Sequence, residues 1–176
     1  KIWVKTNMHL HECITITDWF KICFIENKGM AFGMEIGSKV VLSLFRIVAV
    51  SVIGYYIYLQ VKQKARTGYI VCLAMVMAGA IGNIIDCMFY GLIFNASSEF
   101  YTSYFVPFGE GYAPFLMGKV VDMFYFPLFQ WSNHPAWLSF LFDSEGYFFG
   151  PVFNLADAYI SVAVVYMLIF QYKFFK

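Results

Sequence analysis

The sequence predicts an all-α integral membrane protein with a few short strands outside the membrane. Hydrophobic residues make up 61% of the 176 residues and charged residues only 13%, whereas a soluble domain is about a quarter charged. Aromatic residues make up 22%, which is typical of much surface at the boundary between lipid and water. The length suits one domain, and the net charge of +1 provides no basic field for nucleic acid.

Three apolar runs predict membrane-spanning helices at residues 40–59, 69–89 and 155–172. About twenty residues of helix are needed to cross roughly 30 Å of hydrocarbon, and the first two runs meet that length. The third run is slightly shorter and is followed at once by basic residues. The chain is therefore predicted to cross the membrane three times.

Basic residues set the predicted orientation of these spans. The link at residues 61–68 carries three basic residues and no acid, and two lysines follow the third span. Because basic loops stay on the cytoplasmic side, residues 1–39 and 90–153 are predicted to be external. An external Lys1 requires an earlier crossing, so we expect a further span upstream and four spans in the complete protein.

The first external segment is predicted to hold the strands. Residues 14–17 alternate between apolar and polar side chains, and residues 19–25 are rich in strand formers. A disulfide between Cys13 and Cys23 is possible outside the membrane, although the spacing alone does not establish it. The second external segment is predicted to be a long loop, and its many aromatic residues indicate a part that lies on the lipid surface.

The polar residues of the three spans gather at one membrane level. At 1.5 Å of rise per helical residue, Arg46 lies about 9 Å below the outer surface. The second span ends, and the third begins, at that same surface. Because ionisable residues in a span indicate a functional site, we predict a site at the outer face formed by Asn27, Arg46, Asn83, Asp86, Asp122 and Asp157.

Local spacing adds detail to the second and third spans. Gly79, Asn83 and Asp86 are spaced i, i+4 and i+7 and share one helix face, and the glycine permits close approach of another helix. Asn154 suits the N-cap of the third span, and Asp157 follows where the helix N-terminus favours a carboxylate. Helix packing or capping would explain either group alone, so the prediction depends on both groups and on the acid in the long loop.

Asp122 and Asp157 together suit general acid–base hydrolysis. Two acids that share a site cannot both ionise easily, so one holds a proton while the other stays charged. The charged acid removes a proton from water and the protonated acid assists a carbonyl oxygen. We assign Asp157 as the charged member because of its helix N-terminus. No metal or cofactor is predicted, since His9 and His11 are too few ligands for a zinc site.

Four blocks, at residues 26–33, 79–86, 120–122 and 153–157, resemble in sequence and order those of the lipoprotein signal peptidases (signal peptidase II), a family of bacterial membrane aspartyl peptidases. The resemblance implies a four-helix transmembrane bundle, whose first helix is largely missing here, with a small external antiparallel β-sheet and a short interfacial helix. It implies that Asp122 and Asp157 are catalytic. The implied supporting or substrate-binding residues are Asn27, Gly29, Gly79, Asn83, Asp86, Asn154 and Ala156.

The same resemblance implies a reaction and a set of partners. The implied reaction is cleavage of diacylglyceryl-modified prolipoproteins just before the lipidated cysteine. It would occur at the outer face of the bacterial inner membrane, in contact with membrane lipid and without a cofactor. Inhibition by globomycin-type peptide antibiotics is also implied. We expect the enzyme to be a monomer.

Two positions depart from the family pattern. Lys1 matches only the end of an Asp-x-x-x-Lys motif, and Cys87 stands where Arg is frequent, so Arg46 is a candidate to supply that charge. On the residues alone, two other classes stay open. One is a transporter in which Asp86 and Asp157 bind a cation, although transporter sites tend to lie near the bilayer midplane. The other is a lipid-binding scaffold without catalysis.

Overall fold

The structure is a computed structural model that describes residues 1–27, 39–131, 133–142 and 145–170. A π-helical turn, Asp86–Tyr90, and a 3₁₀ helix, Ala136–Leu141, accompany the regular elements. The other elements, in chain order, are α1 (Ile2–Asn7), β1 (Cys13–Thr17), β2 (Phe20–Asn27), α2 (Lys39–Lys62), α3 (Thr67–Ile85), α4 (Gly91–Ile93), β3 (Val120–Tyr125) and α5 (Leu155–Phe170).

The strands form one antiparallel sheet in the order β1-β2-β3. The strands predicted near the N-terminus are confirmed as β1 and β2, and Cys13 pairs with Cys23 across them and forms a disulfide. Within the segment predicted as a long loop, residues 90–153, the structure has strand β3, which pairs with β2. A strand whose partner is so distant in sequence gives little local signal. The small antiparallel sheet that the resemblance implies is confirmed, and the chain combines helices with this sheet.

Within the described residues, two helices are long and apolar enough to cross a membrane. They are Lys39–Lys62 and the continuous helical stretch Thr67–Ile93, so apolar helices cover the predicted spans at 40–59 and 69–89 and extend beyond their ends. Helix α5 begins as predicted at Leu155, and its described part is 16 residues long. The predicted end at residue 172 lies outside the described residues.

Helices α3 and α5 pack closely because of small residues. A Cβ added at Gly79 would collide with the carbonyl oxygen of Ala156 and would lie 2.8 Å from Cγ1 of Ile160. A Cβ at Gly82 would lie 3.3 Å from the Cβ of Ala156. The predicted close approach at Gly79 is therefore confirmed, and it brings the start of α5 beside the C-terminal half of α3.

The sheet has two faces with different surroundings. Helix α1 and the aromatic residues after α3 cover one face with a buried cluster of Val4, Met8, Phe24, Tyr90, Phe94 and Val121. Side chains alternate along a strand, and Glu26 pairs with Val121 while Ile25 pairs with Asp122. Glu26 therefore belongs to the covered face and Asp122 to the opposite face, towards the start of α5.

Candidate active site

One buried asparagine joins the two predicted catalytic carboxylates. The side-chain Nδ2 of Asn154 donates a hydrogen bond of 2.6 Å to Oδ1 of Asp122. The backbone N–H of the same residue donates one of 3.2 Å to Oδ2 of Asp157. Asn154 is fully buried, so its geometry is fixed by the protein. The structure thus brings together two acids that lie in different elements, β3 and α5.

Asn154 also caps α5, as its position predicted. Its Oδ1 accepts hydrogen bonds from the backbone N–H groups of Ala156, at 2.8 Å, and Asp157, at 3.3 Å. With the return bond from its own N–H to Asp157, this forms a reciprocal cap of the first helical turn. The partial positive charge of the helix N-terminus stabilises negative charge on Asp157. Capping and site formation are therefore two roles of the same side chain.

Asn83 connects α3 to this pair. Its Nδ2 donates a hydrogen bond of 2.7 Å to Oδ1 of Asp157. Its Oδ1 accepts from Nδ2 of Asn154 at 3.1 Å and from Nζ of Lys1 at 2.8 Å. Since the donor and acceptor ends of both amides are satisfied, neither amide can turn over without loss of hydrogen bonds.

Asp86 supports the site through contacts with neighbouring elements, and its side chain is buried. Its Oδ2 forms an ion pair of 2.6 Å with Nζ of Lys1 and accepts a hydrogen bond of 3.2 Å from the N–H of Val121. The hydroxyl of Tyr90 also hydrogen-bonds to Asp86. A π-helical turn begins at this residue, as is frequent at functional sites. Asp86 therefore joins α1, α3 and β3, and Lys1 occupies a place in the site.

Asp122 is held mainly by neutral amides. Its side chain accepts hydrogen bonds from Asn154 and Asn27, and the residue is only 3% exposed. Burial, with a smaller contribution from the charge of Asp157, raises the pKa of Asp122 to about 6, while the two amides oppose this shift. Asp122 is therefore suited to hold a proton at mildly acidic pH and to exchange it near pH 6.

Asp157 faces an open, largely apolar cavity of about 470 Å³ between α5 and the segment before it. Unlike Asp122, it is partly exposed. The other lining residues are Leu141, Phe149, Pro151, Phe153, Ala158, Ser161 and Val162. A group that enters this cavity would meet the carboxylate of Asp157.

The remaining predicted residues fall at the edges of the site. Gly79 and Ala156 form the helix contact beneath it. Nη1 of Arg46 donates to Sγ of Cys87 at 3.6 Å, so Arg46 does reach the position where the family often has arginine. Gly29 lies outside the described residues. Sequence reasoning missed a second polar cluster around Glu26, because its members are far apart in the sequence.

The sequence matches the family described as "Signal peptidase (SPase) II" over residues 1–173. The chain belongs to the signal peptidase II family. It is 48% identical to the lipoprotein signal peptidase of Porphyromonas gingivalis over 170 residues, which cover 96% of this chain and 74% of that protein. It is 34% identical to that of Amoebophilus asiaticus over 179 residues, which cover 96% of this chain and 70% of that protein.

Two solved structures share the fold of this signal peptidase II chain. Both are bacterial membrane enzymes solved by the in meso method, at 2.3 and 1.9 Å resolution, with TM-scores of 0.62 and 0.59. Each is 19% identical to this chain. The first match covers 98% of this chain and 77% of the solved chain. The second covers 96% of this chain and 79% of the solved chain. The family membership predicted from four sequence blocks is confirmed: the chain is of a bacterial protease family that acts on the signal peptides of prolipoproteins.

Proposed function

We propose that this signal peptidase II chain is an aspartic endopeptidase that cleaves diacylglyceryl-modified prolipoproteins just before the lipidated cysteine. Asp122 and Asp157 are its catalytic pair. The observation that carries the proposal is that Asn154 binds both carboxylates, one buried and the other open to a cavity. This arrangement gives one acid that holds a proton and one that stays charged, which hydrolysis by water requires.

In the first step, a water molecule attacks the carbonyl carbon of the scissile peptide bond. Asp157 accepts a proton from that water, while Asp122 gives its proton to the carbonyl oxygen. The products of this step are a tetrahedral diol, a charged Asp122 and a protonated Asp157. Because proton transfer accompanies attack, neither hydroxide nor a free oxyanion forms.

In the second step, the bond between the carbonyl carbon and the peptide nitrogen breaks. Asp157 gives its proton to the leaving nitrogen, and a hydroxyl proton of the diol returns to Asp122. The signal peptide leaves with a new carboxyl group, and the lipidated cysteine leaves with a free amine. The pair has regained its starting protonation, so no covalent enzyme intermediate and no cofactor are needed.

The supporting residues keep the two acids in different states. Asn154 and Asn83 donate to Asp157 and orient its carboxylate, whereas the burial of Asp122 favours the neutral form of Asp122. Asn27 hydrogen-bonds to Asp122 directly from the end of β2, and Asp86 acts indirectly, since it fixes β3 beside the end of α3. We expect globomycin-type inhibitors to act by covering the carboxylates, with the enzyme as a monomer.

We place the site at the outer face of the inner membrane. The disulfide between Cys13 and Cys23 lies in the same sheet as Asp122, and disulfides persist in oxidising compartments outside the cytoplasm. The basic link between α2 and α3 favours the cytoplasmic side. A substrate anchored by its acyl chains would then present its cleavage site at the level of the pair.

Membrane lipid is the expected neighbour of the aromatic loop after α4. Backbone hydrogen bonds from Val106 to Ile93, at 2.9 Å, and from Gly109 to Leu92, at 3.0 Å, tie this loop to the outer end of the second span. Phe100 is highly exposed, and aromatic side chains favour the membrane interface. The loop therefore suits contact with the headgroup region.

The direct test is a gel-shift assay of cleavage on a diacylglyceryl-modified precursor. Asp122→Asn and Asp157→Asn should each lower the rate at least about a thousandfold, since each removes a proton-transfer group. Asp18→Asn, an exposed acid in the turn between β1 and β2, is the matched control and should keep the rate. Normal cleavage by either site variant would overturn the proposal. Silence of both substitutions would instead favour the lipid-binding scaffold.

A further inference from the structure

Another buried carboxylate, on the opposite face of the sheet from Asp122, has no part in the reaction proposed above. The side chain of Glu26 is only 2% exposed. Its Oε1 accepts hydrogen bonds from Nζ of Lys5 at 2.5 Å and from Oγ of Ser97 at 2.7 Å, and its Oε2 accepts from Nζ of Lys119 at 2.7 Å. Glu26 thus joins α1, the loop after α4 and the residue that precedes β3.

The partners of Glu26 favour the ionised form of its carboxyl group. Burial raises the pKa of Glu26, but the charge of Lys5 and the hydrogen bonds from Lys119, Lys5 and Ser97 outweigh burial and lower it overall. Lys5 is fully buried, and its ammonium lies 5.3 Å from the ring centre of Phe94. Removing one partner of a buried ion pair strongly destabilises the folded protein. The cluster therefore resists displacement of the strand ends that it joins.

The cluster lies next to Asp122 along the paired strands β2 and β3. Glu26 pairs with Val121, directly beside the pairing of Ile25 with Asp122. The register of β2 and β3 is irregular between Ile22 and Ile25, so regular pairing from the far end of the strands does not extend to Asp122. The register beside the site must therefore be set locally: the bond from the N–H of Val121 to Asp86 is one constraint, and the bond from Lys119 to Glu26 is another.

We propose that Glu26 is a positioning residue that, through Lys119, fixes the register of β3 and so places Asp122 beside Asn154. A shift by one residue would turn every side chain of β3 to the other face of the sheet, and Asp122 would leave the site. This inference rests on the proposed role of Asp122 in catalysis. Glu26 itself does not touch the reacting atoms.

The test uses the full chain and separates placement from folding. The side chain of Lys119 is 33% exposed and Glu26 keeps Lys5 and Ser97 as partners, so Lys119→Met should lower the melting temperature but leave the protein folded at the assay temperature. It should lower kcat by about tenfold or more with KM unchanged, because a misplacement of about 1 Å is costly in catalysis. Lys119→Arg retains the charge and should restore most of kcat.

Lys21→Met is the matched control. Lys21 also lies on β2 and contacts β3, with its ammonium 5.9 Å from the ring centre of Tyr125, but at the far end of the strand pair. It should leave kcat within about twofold. An equal loss in both lysine variants would overturn the proposal, because the effect would then be a general property of cross-strand contacts.

A double-mutant cycle adds a second criterion. Glu26→Gln and Lys119→Met remove the same ion pair, so their effects on kcat should be strongly non-additive. Additive effects, or unchanged kcat in Lys119→Met, would overturn the positioning role. If Asp122→Asn keeps its activity, the proposed function fails; if Asp122→Asn is inactive while Lys119→Met is normal, only the positioning role fails.

Discussion

The two faces of the small sheet each bury one carboxylate, and they treat it in opposite ways. On the site face, Asp122 is bound by the amides of Asn154 and Asn27, and its pKa is raised to about 6, mainly by burial. On the covered face, Glu26 is bound by two lysines, and their charge and hydrogen bonds lower its pKa in spite of burial. Burial alone therefore does not decide the state of a carboxyl group; the charge of its partners does.

This difference separates a group that can exchange a proton from one that cannot. Neutral amides orient Asp122 and leave its charge uncompensated, so it can bind and release a proton near neutral pH. The lysines around Glu26 hold it charged across that range, which suits a structural link. The following experiments test whether the contrast between amide and lysine partners governs function, from the largest expected effect to the smallest.

Asn154→Ala should have the largest effect, because it removes the contact that joins the two acids. We expect kcat to fall by at least about a hundredfold and the free energy of unfolding to fall by about 1–2 kcal/mol, since a helix cap is also lost. Cleavage rates and thermal melting would measure both. The control is Asn95→Ala, which removes another side-chain acceptor of a backbone N–H, that of Tyr104, and should leave kcat nearly unchanged.

Gly79→Ala should have the next largest effect. The added methyl would collide with Ala156 and push α5, with Asp157, away from α3. Overpacking of this kind costs about 1–3 kcal/mol, and kcat should fall with stability. Gly54→Ala is the control, since its new Cβ would lie 3.6 Å from Sδ of Met77, an ordinary contact. Equal behaviour of the two variants would contradict the importance of this helix approach.

The pH dependence should reflect the contrast between the two carboxyl groups. The pKa of Asp122 is raised from 3.8 to about 6. The protonated group therefore adds to the free energy of unfolding in full below pH 3.8, and this contribution is lost as the pH rises through about 6. The value of kcat/KM should fall by up to about tenfold per pH unit above that point. Glu26 has a lowered pKa, so its contribution is lost only as the pH falls below the ordinary carboxyl range. A flat profile from pH 5 to 8 would contradict the assignment of Asp122 as the acid.

Removal of the disulfide should have the smallest effect on catalysis. The paired change Cys13→Ser and Cys23→Ser opens a link across a sequence separation of 10, and should lower the free energy of unfolding by about 2–3 kcal/mol. Because β1 does not adjoin β3, kcat at low temperature should stay within about twofold. A large loss of kcat in a folded protein would mean that the whole sheet, and not its β2–β3 end, positions Asp122.

Local patterns predicted most of the elements and the site residues that belong to helix ends. Asn154 and Asp157 could be placed from capping chemistry, and Gly79 and Asn83 from helical spacing. Strand β3 and the cluster of Lys5, Glu26 and Lys119 could not be predicted in this way. Their bonds join residues between 21 and 93 positions apart, and no short-range pattern specifies such pairs.

The most direct test of the central claim is infrared difference spectroscopy of the protonated carboxyl band as a function of pH. The account predicts a band that is lost as the pH rises through about 6, is absent in Asp122→Asn and persists in the control Asp18→Asn. A band that titrates near the ordinary value of 3.8, or one that survives in Asp122→Asn, would contradict the claim that Asp122 holds the catalytic proton.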